Sequence, residues 1–269
     1  MPSGIYDIHC HLNDSAYAEM EITSSEIVKE ANRVGVALIN NIGFDIKSSK
    51  VAIIQAEKNK NVFAVVGIHP NEAHLFTEEA YEFLEDLAHA DKVVGIGEIG
   101  LDYNRSTKYI KQQKESFIHQ IKIAQQLNLP IMLHIRDING STNAYDDALE
   151  ILKKQKVTSG VVHSFEGTWE IAQKFIKQGI SISLNGEVTK VAEIQRIAKN
   201  ISLNYLMVES DAPYSAPIPF DKRINHCKYL PLTVQKIAEI RGTTSGEIAA
   251  ATRDNAQELF RIKNKLILE

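Results

Sequence analysis

The chain has 269 residues, of which 44% are hydrophobic and 24% charged, with a formal net charge of −4; that is the composition of an ordinary globular protein. The acidic balance excludes a histone-like or repressor-like nucleic-acid binder, whose affinity comes from a basic surface, but not a nuclease, in which bound metal ions supply the positive charge at the phosphates. Two cysteines exclude a disulfide framework as an organising principle, and with no basic leader before the first strand and no apolar run near the ~18 residues of a membrane span, the expectation is a cytoplasmic protein without a membrane partner.

Short runs rich in Val and Ile predict strands at about 4–9, 36–43, 62–68, 93–98, 130–134, 160–163, 180–184 and 205–209. They are almost continuously apolar rather than alternating, as parallel strands covered on both faces are. Amphipathic stretches separate them. The first, SSEIVKEANRVG, has Ser24 or Ser25 as its expected N-cap and Gly35 closing it. SSKVAIIQAEKN, TEEAYEFLEDLAHA, YIKQQKESFIHQIKIAQQLN, NAYDDALEILKKQ, TWEIAQKFIKQG and KVAEIQRIAKN follow in turn. Eight strand–helix units predict an α/β fold, a (β/α)8 TIM barrel, as a single domain over 1–269. One more helix is expected at about 244–261. A doubly wound open sheet is the alternative, but it does not naturally place chemistry at six strand ends. Two connections stand out: the polar loop 137–144 and the segment 212–231, which holds four of the seven prolines. Long loops on the carboxyl side of barrel strands frame active sites.

Seven potential metal ligands sit where these strands run out: Asp7, His9, His11, Glu98, His134, His163 and Asp211. Strand side chains repeat every second residue, so Asp7, His9 and His11 are expected on one side and Cys10 on the other, in the core. A carboxylate after the apolar run VVGIG is costly to bury unpaired, which makes Glu98 either a rim salt bridge or a bridging metal ligand. GIGEIG also matches G-x-G-x-x-G, but LDYN follows it instead of a helix opening, so it is not read as a dinucleotide site. Taken singly, each histidine is as readily a hydrogen-bonded structural residue. The set of four imidazoles and two carboxylates on five strands is what points to a metal-assisted hydrolase with two divalent ions.

The ordered motifs Asp7-x-His9-x-His11, Gly67-Ile-His69-Pro70, Gly97-Glu98-Ile-Gly100-Leu-Asp102-Tyr103, His134-x-Arg136, His163-x-Phe165-x-Gly167, Glu209-Ser-Asp211-Ala-Pro213 and Asn255-Ala-x-x-Leu-Phe260 resemble the TatD family of metal-dependent deoxyribonucleases, within the amidohydrolase superfamily of (β/α)8 barrels. The resemblance spans nearly the whole chain. It implies that His9, His11, Glu98 and Asp211 hold one metal ion, that Glu98, His134 and His163 hold the second, and that a water bridges the ions. It implies a 3′→5′ exonuclease on DNA, in some cases on RNA, with Mg2+ supporting turnover. The catalytic carboxylates are then Glu98, Asp211 as acceptor of the water proton, and Glu209 as a residue that orders the water or binds a further ion. His69, Tyr103, Arg136 and Arg223 are the candidates for phosphate contacts; for Arg136 the alternative is pairing with Asp137 or Glu150, and for Tyr103 it is packing. Phe76, Trp169 and Tyr214 are candidates for stacking a terminal base.

Two departures from the family pattern concern loops. Where an Arg-x-x-Asn-Glu-Pro segment is common, this chain reads Lys222-Arg223-Ile-Asn225-His226-Cys227-Lys228, and Ser164 replaces the Cys that often follows the strand-6 histidine. Four imidazoles favour Zn2+ or Mn2+ over Mg2+ on ligand softness, so the ion that co-purifies is expected to differ from the one that supports turnover. Other hydrolases on such a site (a phosphotriesterase, lactonase or cyclic amidase) are the first alternative; the bridging position here is Glu98 rather than a carboxylated lysine, which favours the nuclease. A catalytically silent barrel is the second alternative, and six intact ligands argue against it. The expected partner is DNA as substrate and the expected state a monomer.

Overall fold

The structure is a computed structural model that describes residues 4–75 and 77–262; the stacking candidate Phe76 lies outside the described residues. Eight parallel strands follow one another around one sheet in chain order: β1 (Ile5–Cys10), β2 (Val36–Ile42), β3 (Val62–Val66), β4 (Val93–Asp102), β5 (Ile131–Arg136), β6 (Gly160–Val162), β7 (Ile180–Leu184) and β8 (Leu206–Val208). The sheet closes through the residues just after β8. Asp211 N donates to His9 O at 2.9 Å and His11 N to Ala212 O at 2.8 Å, and Cys10 and Ala212 form an isolated parallel bridge. The fold is a (β/α)8 TIM barrel.

Helices α1 (Ser15–Glu19), α2 (Ser24–Arg33), α3 (Ile46–Glu57), α4 (Glu78–Ala88), α5 (Ile110–Gln126), α6 (Asn143–Lys154), α7 (Trp169–Lys177), α8 (Ala192–Asn200), α9 (Leu230–Arg241) and α10 (Ser245–Leu259) fill the connections. The N-cap of α2 is Thr23, in a capping box with Glu26, rather than Ser24 or Ser25. Helix α9 does not stand out in the sequence because Pro231 reads as a breaker; at the first turn of a helix proline costs nothing, since that N–H has no intrahelical partner. Gly242, in the left-handed region at φ 65°, ends it.

Apolar side chains divide into two clusters. One lies between the sheet and the surrounding helices and includes Ile39, Val66, Phe117 and Phe175. The other lies within the barrel: Tyr6, Ile8, Leu38, Phe63, Val65, Val94, Met132, Val161 and Met207 pack against Ala256 and Phe260 at the end of α10 and against Ile262. The tail helix thus plugs the end of the barrel opposite the strand carboxyl ends. Asn255 fixes it there, its side-chain amide donating to the carbonyls of Leu203 at 2.5 Å and Leu206 at 2.9 Å.

Strand β4 runs on to Asp102, beyond the expected end at Glu98, so Glu98 stands within a strand. Gly95, Gly97 and Gly100 all lie in that strand and open no helix. At Gly100, φ is +141° and a Cβ would sit 2.2 Å from the His134 carbonyl oxygen; only glycine fits against β5 there.

Candidate metal centre

Strand β1 brings His9 and His11 to the carboxyl end of the barrel, β4 brings Glu98 and β5 brings His134. His163 follows β6 directly, and Asp211 follows β8 with φ at 54°. All six side chains are buried, and their polar atoms converge. Glu98 Oε1 lies 2.7 Å from His163 Nε2, 3.3 Å from His134 Nδ1 and 3.7 Å from His9 Nε2. Glu98 Oε2 lies 3.8 Å from His11 Nε2. Asp211 Oδ1 is 3.7 Å from His9 Nε2 and 4.0 Å from His11 Nε2.

Ring nitrogens also meet one another, at 3.1 Å between His9 and His11 and 3.1 Å between His134 and His163. Imidazole nitrogens crowded this way against carboxylates fit a divalent cation better than they fit each other, because facing lone pairs gain from a shared positive centre. Two such sets share His9: His9, His11 and Asp211, and His9, Glu98 and His163. His134 lies beside the second through Glu98.

The remaining ring nitrogens are held from behind. His11 Nδ1 faces the Ile42 carbonyl at 3.4 Å, His134 Nε2 faces Asp102 Oδ2 at 3.4 Å, and His163 Nδ1 faces Glu209 Oε1 at 3.5 Å. A ring that donates its second N–H to an oxygen keeps the inward nitrogen as a lone pair, oriented for a metal. Asp102 is itself fixed, accepting from Arg105 N at 2.9 Å and from the Asn71 amide at 3.0 Å. Asp102 was not singled out from the sequence, where it appears only inside a motif; its acidic type next to a strand-4 carboxylate was the available signal.

Glu209 is fully buried behind His163 and accepts from Ser164 N at 2.5 Å. It faces the back of the His163 ring and is not in the cavity wall, so the structure places it away from the expected water-ordering position. Asp7 is also elsewhere. A register shift between Asp7 and Cys10 in the β1–β2 pairing breaks the two-residue alternation, and the Asp7 carboxyl accepts from Ser210 N at 2.8 Å beside Cys10 and Cys227.

The charges of these groups are shifted by their surroundings. For Glu98 burial opposes ionisation most, yet the His163 and His9 rings and hydrogen bonds from His134 and His163 together hold it well below the ordinary carboxylate range. Burial likewise disfavours the His163 imidazolium, but Glu98 and Glu209 on its two sides outweigh it and raise His163 to about 10. Burial, then the charge of His163, lowers His9 well below its ordinary value, and burial lowers His69 to about 3.

A cavity of about 760 Å³ opens over the cluster. His11, Glu98, His134, His163 and Asp211 line its base, with Phe44, Tyr214, His74 and Tyr109 as aromatic wall and Arg105 and Arg136 as its cationic side chains. His69 lines it too, with Nδ1 accepting from Asn71 N at 3.1 Å. Arg136 pairs with Glu166, and not with Asp137 or Glu150, and donates to Ser164 Oγ at 3.0 Å. Two other phosphate candidates lie outside the cavity: Tyr103 donates its hydroxyl to Asp147 at 2.7 Å, and the Arg223 guanidinium stands 5.7 Å over the Phe220 ring. Of the stacking candidates, Tyr214 lines the cavity, whereas Trp169 packs half-buried against the helical core. In the atypical loop, the Asn225 amide ties the chain down by donating to Ser210 O at 2.7 Å and Tyr214 O at 2.6 Å.

Known proteins resemble this chain along nearly its whole length. The family model described as TatD related DNase matches residues 6–261. A metal-dependent hydrolase of uncharacterised function, YabD of Bacillus subtilis, is 34% identical over 96% of this chain and 99% of its own. The 3′-5′ ssDNA/RNA exonuclease TatD of Escherichia coli is 30% identical, covering 96% of this chain and 99% of its own. Among solved structures, the TatD homologue YjjV of Escherichia coli superposes with a TM-score of 0.88 at 26% identity, covering 97% and 99% of the two chains. The chain belongs to the TatD-related DNase family of metal-dependent hydrolases.

Proposed function

We propose that the protein is a metal-dependent deoxyribonuclease, a 3′→5′ exonuclease that hydrolyses phosphodiester bonds of DNA or RNA single strands. The observation that carries this reading is the convergence of four imidazoles and two carboxylates at the base of one open cavity with Arg105 and Arg136 in its wall. Family membership and the exonuclease named among the relatives support it.

In this reading His9, His11, Glu98 and Asp211 hold one cation and Glu98, His134 and His163 a second. Such ions, when bound, acidify a water and offset charge on the phosphate in an in-line displacement. Asp211 accepts the proton of the attacking water; its Oδ2 already accepts from Ser215 Oγ at 3.0 Å, which fixes the carboxyl plane. Arg136 and His69 face the non-bridging phosphate oxygens. Asp102 and Glu209 orient His134 and His163. Tyr214 offers a face to the terminal base. The ligand set suits Zn2+ or Mn2+ as the retained ion and leaves Mg2+ as the ion of turnover.

The test is digestion of 3′- and 5′-labelled single-stranded DNA by chelated and metal-reconstituted protein, beside Asp211→Asn. Metal-dependent shortening from the 3′ end, lost in the variant, is the expected result. Intact DNA with Mg2+, Mn2+ and Zn2+ alike would overturn the nuclease reading and direct attention to small phosphoesters.

A further inference from the structure

On the other side of β1 from the metal centre lies a cluster that the proposed hydrolysis does not use. Cys10 and Cys227 are free thiols, both fully shielded from solvent, with their sulfurs 2.7 Å apart. Cys10 sits at the end of β1; Cys227 opens the short turn Cys227–Tyr229 that leads into α9. Some 217 positions of sequence separate them. The Asp7 carboxyl completes the group, with Oδ2 buried and without a hydrogen-bond partner among the described residues.

The position of this pair in the barrel is specific. Among the described residues, seven strand pairs hold the sheet by parallel ladders, three of them with register shifts, and the eighth junction, between β1 and the chain after β8, rests on the Cys10–Ala212 bridge and the backbone bonds flanking it. Cys10 is therefore a seam residue, and Cys227 reaches it from the segment that continues past the seam.

Two chemistries compete for such a pair: a shared soft cation or a covalent bond. Two thiolates bound to one tetrahedral zinc at about 2.3 Å each stand about 3.8 Å apart. The thiols here are about 1 Å closer than that arrangement allows, and a small side-chain displacement brings them to the ~2.05 Å of a covalent link. We propose that Cys10 and Cys227 form a redox modification site, at which oxidation joins β1 to the chain beyond β8 and closes the barrel covalently.

The oxidant is a hydroperoxide such as hydrogen peroxide. One thiol sulfur attacks the peroxide, breaking the O–O bond and becoming a sulfenic acid as one water leaves. The second sulfur then attacks the first, forming the S–S bond and releasing a second water. Each sulfur gives up one electron, and the two peroxide oxygens are reduced. Because both thiols are buried, the reaction requires local opening of the fold around them and is slow beside that of a surface thiol. Cys10 faces away from His9 and His11, so the ligand atoms stay in place.

The experiment uses the full-length, metal-loaded protein, treated with a small excess of hydrogen peroxide or kept under dithiothreitol, beside Cys227→Ser and Cys227→Ala. The expected result is a 2 Da loss of intact mass, a linked Cys10–Cys227 peptide, and a Tm raised by at least about 5 °C. All three reverse with dithiothreitol and are absent from both variants. Two thiols still titrating after denaturation, overoxidation of single cysteines, intermolecular dimers, or a linked form with unchanged Tm would each overturn the proposal. None of these readouts depends on nuclease activity.

Discussion

Glu98 and His163 are in contact at 2.7 Å, and Glu209 faces the far side of the same imidazole at 3.5 Å. One ring is thus held between two buried carboxylates, one inside the cavity and one behind it. His134 repeats the pattern with Glu98 at 3.3 Å and Asp102 at 3.4 Å. The candidate centre is two carboxylate–imidazole–carboxylate rows that share Glu98.

Because Glu98 is the shared member, Glu98→Gln removes one of the two carboxylates, with Asp211, that face the imidazoles from the cavity side. We expect activity to fall at least about 100-fold, with loss of one bound ion. Metal content by mass spectrometry and turnover on labelled single strands check this; full metal content with unchanged turnover rules it out.

The outer carboxylates act through the rings. Asp102→Asn and Glu209→Gln are each expected to weaken metal affinity or activity by about 10–100-fold, with part of the loss recovered at high metal concentration. An activity deficit that added metal does not change would assign these residues to folding alone.

Chelation should lower stability as well as activity. The buried ligands repel or strand one another when stripped, and a bound ion stabilises the folded state by mass action, about 4 kcal/mol at a thousandfold excess over Kd. Thermal unfolding with and without a chelator measures it, and a Tm that does not move argues against a site of useful affinity.

His226 predicts a pH dependence. Burial first, then the charge of Lys228, lowers it to about 4, while Glu30 at 3.4 Å opposes them. The unfolded chain therefore binds the proton at higher pH than the folded chain does. Stability from this residue is present above about 6.5, falls as pH drops toward 4, and is lost below. After allowance for solvent screening the loss between pH 7 and 5 is about 1 kcal/mol. His226→Asn keeps an acceptor for Lys228 N and should flatten that part of the urea-unfolding profile; an unaltered slope in the variant is the contrary result.

Phe260 plugs the barrel at 2% exposure, against Tyr6 at a ring distance of 6.2 Å. Phe260→Ala should cost about 3–5 kcal/mol by leaving a void, measured by denaturant unfolding, with the candidate metal centre at the opposite end unaffected. A cost under 1 kcal/mol would mean the floor collapses to fill the gap.

The barrel was legible because its strands are covered on both faces and read as unbroken apolar runs, and because His9 and His11 share a strand face. Asp7 was misplaced by the same rule: one register shift in β1 reverses the side on which it falls, and no residue type signals that shift. Tyr103 and Arg223 were selected by chemistry alone, and the structure turns one toward Asp147 and the other onto Phe220. Asp102 and Glu209 stand in motifs of the sequence, but their pairing with His134 and His163 is not readable there, since sequence shows which carboxylates exist and not which ring nitrogen each one faces. Helix α9 was hidden by a proline that a first helical turn accepts.

The closing bonds of the barrel and the Phe260 plug both come from the last quarter of the chain. During synthesis the first seven strands emerge with an open edge and an unfilled interior, and neither can be sealed until Ala212 and then Phe260 leave the ribosome. Truncation at the carboxyl end is therefore worse for this protein than its distance from the ligands implies: a ribosome that stops early releases an unsealed sheet, ready to pair with its neighbours.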